Sequence, residues 1–289
     1  LNYLRLSRAL KPGDRLVFDG GYVFDSVLRV IFEKELDAVW IRRGLWQAGQ
    51  LHGVTLDRER AFTKVIVPGE AFPELNGDRG GAKVHSVGPV VQRRALPDAA
   101  ARKAARNALA ERLGTPFDEL FVTMLGGGVA ADRTAQTQTV AAITERRKGC
   151  LNLVVVWPGT VVHPGLWGLQ NTRVVQTRNA LALCLLADLV VSAAGYNSFH
   201  EILYHGIPAI FVPQMAAFMD DQERRARSAS DRGLAECVLA HEMLLLHREI
   251  TAFVDGGKAD RVRAALAAVT LPETGNRAAA ALICESEAP

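Results

Sequence analysis

The sequence predicts an α/β fold built from two doubly wound, parallel-sheet domains. Three observations lead there. Short apolar runs of strand length recur along the whole 289-residue chain. Helix-period stretches and Gly/Pro turns separate them, the alternation of a βαβ chain. A polar, basic segment at 92–97 interrupts the pattern once, dividing a domain at 1–94 from one at 95–289.

In order, residues 1–10 set Leu1, Leu4, Leu6 and Leu10 among basic residues, an amphipathic helix stopped by Lys11-Pro12-Gly13-Asp14. Residues 15–18 read as a strand ending at Asp19-Gly20-Gly21. Residues 23–35 are apolar at 23, 24, 27, 28, 31 and 32, a helix. Strands follow at 38–41, 64–67 and 85–91, the first running into Arg42-Arg43-Gly44-Leu45-Trp46. Beyond the linker, 98–113 is an Ala/Arg-rich helix, and 120–125 a strand entering Gly126-Gly127-Gly128. A helix runs from Asp132 or Arg133 to Lys148. Strands at 153–157 and 173–176, a helix at 179–187, strands at 189–191 and 209–212, and a last strand near 236–239 complete six parallel strands. Helices at 241–253, 258–269 and 276–284 close the chain.

The most informative stretch is 187–222, ADLVVSAAGYNSFHEILYHGIPAIFVPQMAAFMDDQ. Leu189-Val190-Val191 is an apolar run suited to a strand buried on both faces. Gly195 turns the chain. Asn197 and Ser198 are N-cap residue types, and Glu201 follows Ser198 by three, a capping-box spacing for a helix to about His205. Gly206-Ile207-Pro208 stops it, the 209–212 strand follows, and a loop carries Asp220, Asp221 and Gln222. A helix N-terminus behind a glycine turn favours a diphosphate, because unpaired N–H groups and the helix dipole both attract negative charge.

The ordered set Gly195-Tyr196-Asn197-Ser198, Glu201, Gly206-Ile207-Pro208, Pro213 and Asp221-Gln222 resembles the donor-binding signature of GT-B glycosyltransferases. It is similar both to the plant-type UDP-sugar box and to the C-terminal domain of glycosyltransferase family 28. The resemblance implies two Rossmann-like domains, with the opening strand and Gly-rich loop of the N-terminal one absent from this chain and the last helix crossing back to it. It places the donor diphosphate at Gly195, Asn197 and Ser198, the ribose at Glu201, sugar hydroxyls at Asp221 and Gln222, and the nucleobase at Thr177 and Arg178. One position departs: Ala193 stands where the plant box has His, which removes any phosphate contact from that side chain.

Gly126-Gly127-Gly128-Val129-Ala130-Ala131 also fits the G-x-G-x-x-A dinucleotide fingerprint. Such a site needs an acid at the end of the second strand, and the 153–157 strand runs instead into Pro158-Gly159-Thr160. In the glycosyltransferase reading, Gly127 and Gly128 let the backbone approach the donor phosphates or the acceptor; close strand–helix packing is served equally.

Hydrophobic content of 49% with 22% charged residues describes a globular protein, and a net charge of +3 gives no case for nucleic acid. Residues 1–95 carry 15 Lys/Arg against 11 Asp/Glu, the remainder 19 against 20. That bias would suit an anionic acceptor or a peripheral membrane contact, and equally an ordinary solvated surface. Cys150, Cys184, Cys237 and Cys284 are far apart and suggest neither disulfides nor zinc, in keeping with a cytoplasmic protein. His200 and His205 are five apart, the wrong spacing for one helical face, and read as packed or surface histidines. Arg42, Arg43 and Trp46 would suit a lipid-diphosphate acceptor, or an ordinary loop.

The expected activity is transfer of a sugar from a UDP-sugar to an acceptor hydroxyl, inverting, with no tightly held metal and no cofactor beyond the donor. Asp19, ending a strand toward the presumed cleft, is the candidate base, although the family's base usually lies on N-terminal loops that precede this chain. The acceptor, lipid-linked or small, is open, as is the oligomeric state. The rivals are a UDP-sugar 2-epimerase of the same fold and a non-catalytic donor-binding module that needs a partner.

Overall fold

The structure, a computed structural model, describes residues 2–48, 53–77, 81–126, 132–158, 160, 162–216 and 219–285. The elements in chain order begin α1 (Asn2–Ala9), β1 (Arg15–Asp19), α2 (Asp25–Lys34), β2 (Asp37–Ile41), α3 (Gly53–Arg58), β3 (Lys64–Pro68) and β4 (Val84–Val87). They continue with α4 (Ala99–Leu113), β5 (Glu119–Met124), α5 (Thr134–Glu145), β6 (Cys150–Val156), β7 (Thr172–Gln176), α6 (Ala180–Cys184), β8 (Leu189–Ser192) and α7 (Tyr196–Tyr204). The last are β9 (Ala209–Phe211), α8 (Gln222–Ser230), β10 (Glu236–Cys237), α9 (Met243–Val254), α10 (Lys258–Ala268) and α11 (Asn276–Cys284). They form two compact units. One is Leu1–Val91 with Ala217–Asp221 and Leu271–Pro289; the other is Gln92–Ala216 with Gln222–Thr270.

The first unit holds a parallel sheet in the order β1-β2-β3-β4. Its core is Trp40, fully buried, whose ring centroid lies 5.4 Å from that of Phe62 and whose Nε1–H donates to Gly20 O at 2.8 Å. Val23, Val27 and Ile31, on α2 and the turn before it, pack on the same cluster. Helix α11 lays Ala279 against Val39 and Ile66. Buried Lys64 donates through Nζ to Leu282 O at 3.3 Å and Glu285 O at 3.1 Å, placing a cation where the carbonyls of α11 end and its dipole is negative.

The second unit holds six parallel strands in the order β10-β9-β8-β5-β6-β7. Leu120, Phe121, Val122, Leu151, Leu153, Val190, Val191, Ala209, Ile210 and Phe211 are essentially inaccessible, the near-continuous apolar burial expected of a sheet covered on both faces. The order reverses between β5 and β8. At the opposite, N-terminal edge, the Asp188 carboxylate accepts from Arg102 (2.9 Å), Arg106 (2.9 Å) and the Leu120 N–H (2.8 Å). These contacts tie α4, β5 and β8 together.

Three expected local features differ. The capping box is absent: α7 begins at Tyr196 with Gly195 as N-cap and no side-chain cap hydrogen bond, so Asn197 and Ser198 lie inside the first turn. Gln222 is the first residue of α8, not a loop residue. The expected 85–91 strand stops at Val87, because Pro89 has no N–H to give a ladder and the chain turns away at Gly88. The C-terminal end of α7 follows expectation. Gly206 adopts φ 65°, with Ile207 N–H donating to Ile202 O (3.1 Å) and Gly206 N–H to Leu203 O (3.1 Å), a Schellman close.

Burial pushes the Asp188 carboxyl up, but Arg102, the Leu120 N–H and Arg106 outweigh it and hold the group below its ordinary value. A depressed carboxylate stabilises the fold fully above its unfolded pKa, and that contribution is lost as pH falls through the folded one. Asp188→Asn is therefore expected to cost about 1–3 kcal/mol at pH 7. Denaturant titration should show the gap between variant and wild type closing at acid pH below about 4.

Candidate functional site

At the C-terminal edge of the six-stranded sheet, β5 and β8 lie side by side, yet the chain leaves β5 toward β6 and β8 toward β9. Open α/β sheets bind ligands in the crevice such a reversal leaves. Chain 193–195 and the start of α7 form one wall. Gly195 is extended (φ −61°, ψ 149°), and the first intrahelical bond runs from Phe199 N–H to Gly195 O at 2.9 Å. The N–H groups of Tyr196, Asn197 and Ser198 thus stand outside the helical ladder, at the positive end of the dipole.

That wall is braced from beneath. Arg225 of α8, wholly buried, donates from Nη1 to Ala194 O at 2.8 Å, and its guanidinium lies 5.6 Å from the Tyr196 ring centroid and 6.0 Å from that of Phe199. His200 is a packed histidine: its ring lies 4.1 Å from that of Tyr196 and its Nδ1 pairs with Tyr196 O at 2.7 Å. His205 bonds Glu201 O through Nδ1 (2.6 Å) and accepts the Arg94 N–H at Nε2 (3.1 Å), fastening the linker to the far end of α7.

The ends of β5 and β9 form the other wall. Gly126 adopts φ 89°, a left-handed conformation that favours glycine, and a Cβ there would lie 2.2 Å from Gln214 Nε2, so a larger residue would strain the backbone and displace that side chain. Gln214 Nε2 donates to Leu125 O at 2.6 Å, while Gln214 N–H donates to Gln222 Oε1 at 3.0 Å. Gln222 is 2% exposed, and its Nε2 lies 3.9 Å from the position a Cβ on Gly195 would take.

Arg133 escaped the sequence reading. It precedes α5 as its N-cap, 8% exposed; Nη2 donates to Pro213 O at 3.3 Å and Nε has no partner. No carboxylate pairs with it among the described residues, and burial lowers its pKa, the condition of a cation awaiting an anion. A single Arg in a loop leaves no periodic signal in the sequence.

Glu201 lies in the second turn of α7. Burial lifts its carboxyl to about 7, opposed only in part by Arg94. Thr177 and Arg178 follow β7: Thr177 Oγ1 accepts the Asn179 N–H at 3.0 Å, and the Arg178 side chain is exposed. Gly127 and Gly128 lie outside the described residues. Asp221 and Asp19 belong to the other compact unit. There Asp221 N–H donates to Leu45 O (3.1 Å), Asp220 bridges Trp46, and Asp19 pairs with Arg43 at 3.2 Å. Arg42, 3% exposed, pairs with Glu59 at 2.7 Å and stacks on Trp46 at 4.7 Å, contacts that account for its burial without an acceptor.

Two cavities, of about 420 and 440 Å3, flank Asp188 on the opposite edge of the sheet. The arginines lining them already bond Asp188. Cys150 and Cys184 are buried, and burial pushes both thiols up to about 12, into inert range. No helix among the described residues is long and apolar enough to cross a membrane.

Comparison with known proteins bears on this crevice. Residues 171–269 match the family model for the glycosyltransferase family 28 C-terminal domain. Two relatives share the name UDP-N-acetylglucosamine–N-acetylmuramyl-(pentapeptide) pyrophosphoryl-undecaprenol N-acetylglucosamine transferase. The one from Acetivibrio thermocellus is 26% identical over 51% of this chain and 42% of its own length. The one from Leuconostoc citreum is 31% identical over 58% and 48%. The alignments thus span about half the length of these relatives. Among solved structures, Acinetobacter baumannii MurG is 14% identical with a TM-score of 0.53, covering 98% of this chain and 76% of that one. A putative UDP-N-acetylglucosamine 2-epimerase from Listeria monocytogenes is 13% identical with a TM-score of 0.56 over 98% and 76%. These likenesses show the fold, GT-B with parallel sheets.

A carboxyl whose folded pKa is raised above its unfolded value lowers stability as pH climbs through that interval, since the folded chain binds the extra proton. Glu201→Gln is therefore expected to leave the melting temperature near wild type at pH 5 and to raise it at pH 8. Calorimetric scans of both proteins at the two pH values check this.

Proposed function

We propose that the chain carries the donor side of a glycosyltransferase that moves a sugar from a UDP-sugar to an acceptor hydroxyl, with inversion and without a tightly held metal. One observation carries the reading. The stretch matching the family 28 C-terminal domain carries a helix that starts directly behind Gly195 at the switch point of the six-stranded sheet, with buried Arg133 and Gln222 bonded to the loop after β9.

In this reaction the acceptor oxygen attacks the anomeric carbon, the bond to the β-phosphate oxygen breaks, and charge grows on the departing UDP. The amides of residues 196–198 and the Arg133 guanidinium suit that charge, because fixed donors in a dry crevice need no reorganisation as it develops. Gly195, Asn197 and Ser198 hold the diphosphate, and the sequence adds Gly127 and Gly128 as further contacts to it. Glu201 accepts the ribose hydroxyls, Thr177 and Arg178 meet the nucleobase, and Asp221 and Gln222 bind the sugar hydroxyls. Asp19 remains the candidate base, and its ion pair with Arg43 must loosen for it to take a proton. The acceptor is a lipid-linked or small-molecule hydroxyl, reached through peripheral membrane contact in the first case.

A 2-epimerase reading has the support of a neighbour of the same fold, and the family match is what favours transfer over it. Incubating the protein with UDP-glucose, UDP-galactose and UDP-N-acetylglucosamine, with and without lipid-linked and small acceptors, separates the readings. Transfer predicts free UDP together with glycosylated acceptor. A changed sugar still attached to UDP would mean epimerisation, and binding without turnover a donor module.

A further inference from the structure

Each nitrogen of an imidazole carries either a proton or an in-plane lone pair, so two bonded partners fix the state of a histidine. His205, 5% exposed, has two such partners. Its Nδ1 lies 2.6 Å from Glu201 O, which can only accept, so Nδ1 carries a proton. Its Nε2 lies 3.1 Å from the Arg94 N–H, which can only donate, so Nε2 carries the lone pair. The ring is therefore neutral and in one tautomer. A second proton would set N–H against N–H and give up the Arg94 contact.

These two bonds pin the backbone of Arg94, in the 92–97 segment, to the residue that bears the Glu201 carboxyl; segment and helix belong to one compact unit. Among the described residues the Glu201 carboxylate accepts no hydrogen bond, and Arg94 is the group whose charge opposes its burial. The Arg94 guanidinium makes no ion pair of its own there. The neighbouring titratable groups supply no competing charge. Burial holds the Cys184 thiol of α6 and the Tyr204 hydroxyl, with Arg93 near its ring, neutral up to about 12. Across the cavity of about 420 Å3 beside His205, Arg102 and Arg263 are already bonded to Asp188.

We propose that Arg94 and His205 are positioning residues for the nucleotide: His205 holds Arg94 against α7, and the Arg94 guanidinium keeps the Glu201 carboxylate in the charged form that grips ribose hydroxyls. This rests on the nucleotide-sugar reading above, in which Glu201 meets the ribose, and adds the residues that act on it. Hydroxyls bind a carboxylate more strongly than the neutral acid, because charge-assisted hydrogen bonds are the stronger ones. Without Arg94, burial raises the Glu201 carboxyl further, so less carboxylate remains at neutral pH, and the deficit closes in alkali.

Two variants test this. Arg94→Gln removes the charge and keeps the backbone N–H; His205→Phe keeps the bulk of the ring and loses both bonds. Titration calorimetry on the full chain uses UDP and 2′,3′-dideoxy-UDP, which lacks both ribose hydroxyls, at pH 7 and pH 9. Both variants are expected to bind UDP about threefold more weakly than wild type at pH 7 and equally at pH 9, with dideoxy-UDP binding alike to all three proteins. Equal losses for UDP and dideoxy-UDP, or a UDP loss that persists at pH 9, overturn the proposal, because the charge would then act on the diphosphate or the fold rather than through Glu201. Either variant matching wild type at pH 7 overturns it as well. If His205→Phe does not fold, the imidazole nitrogen shifts of wild type decide its part: a protonated Nδ1 with a bare Nε2 supports the latch, and a protonated Nε2 removes it. Wild type binding neither nucleotide would overturn the nucleotide-sugar reading itself, and wild type binding both alike would overturn the ribose role of Glu201. Both results are distinct from any difference between variants.

Discussion

The start of α7 is set by a backbone constraint on which the rest of the crevice depends. Strand β8 ends at Ser192, and only Ala193, Ala194 and Gly195 separate it from the helix. With so short a turn at the reversal of strand order, the first three amides of α7 emerge beside the ends of β5 and β9. Arg225 holds the Ala194 carbonyl from below, and Gln214 and Gln222 hold the facing loops together. An Arg buried without exposure on α8 is expensive to desolvate, and hydrogen bonding to a carbonyl with aromatic rings alongside is the setting in which it persists.

Much of this was legible in the sequence because burial on both faces writes strands as apolar runs. Val190-Val191 and Ala209 to Val212 needed no periodicity to be found. Helix α7 was also legible, but not its first residue. Asn197 and Ser198 are N-cap residue types, yet they occupy the first turn of the helix and neither caps it. Gly195, extended and without a side chain, takes the cap. Helix α8 could not be read at all. Its sequence, QERRARSAS, has no apolar stripe, and its buried face is Gln222, Arg225, Ala226 and Ala229. Polar residues buried for their hydrogen bonds carry no hydrophobic signal, and Gln214 and Arg133 were invisible for the same reason.

The site combines two electrostatic settings within one helix. At its N-terminus, α7 offers the positive end of its dipole, and Arg133 pairs with no carboxylate among the described residues. In its second turn, Glu201 sits in a place dry enough to lift its carboxyl to about 7. The first setting rewards a diphosphate directly. The second makes Glu201 a poor anion until hydrogen-bond donors reach it, a need that ribose hydroxyls meet. A ligand carrying both groups is therefore matched to the first two turns of the helix.

The central claim is that the diphosphate sits on the first turn of α7. Amide NMR on isotope-labelled protein during a UDP titration tests it most directly. The account predicts the largest downfield shifts at the N–H groups of Tyr196, Asn197 and Ser198. Unmoved resonances there, with shifts instead around Asp188 and Gly206 at the opposite edge of the sheet, would contradict it.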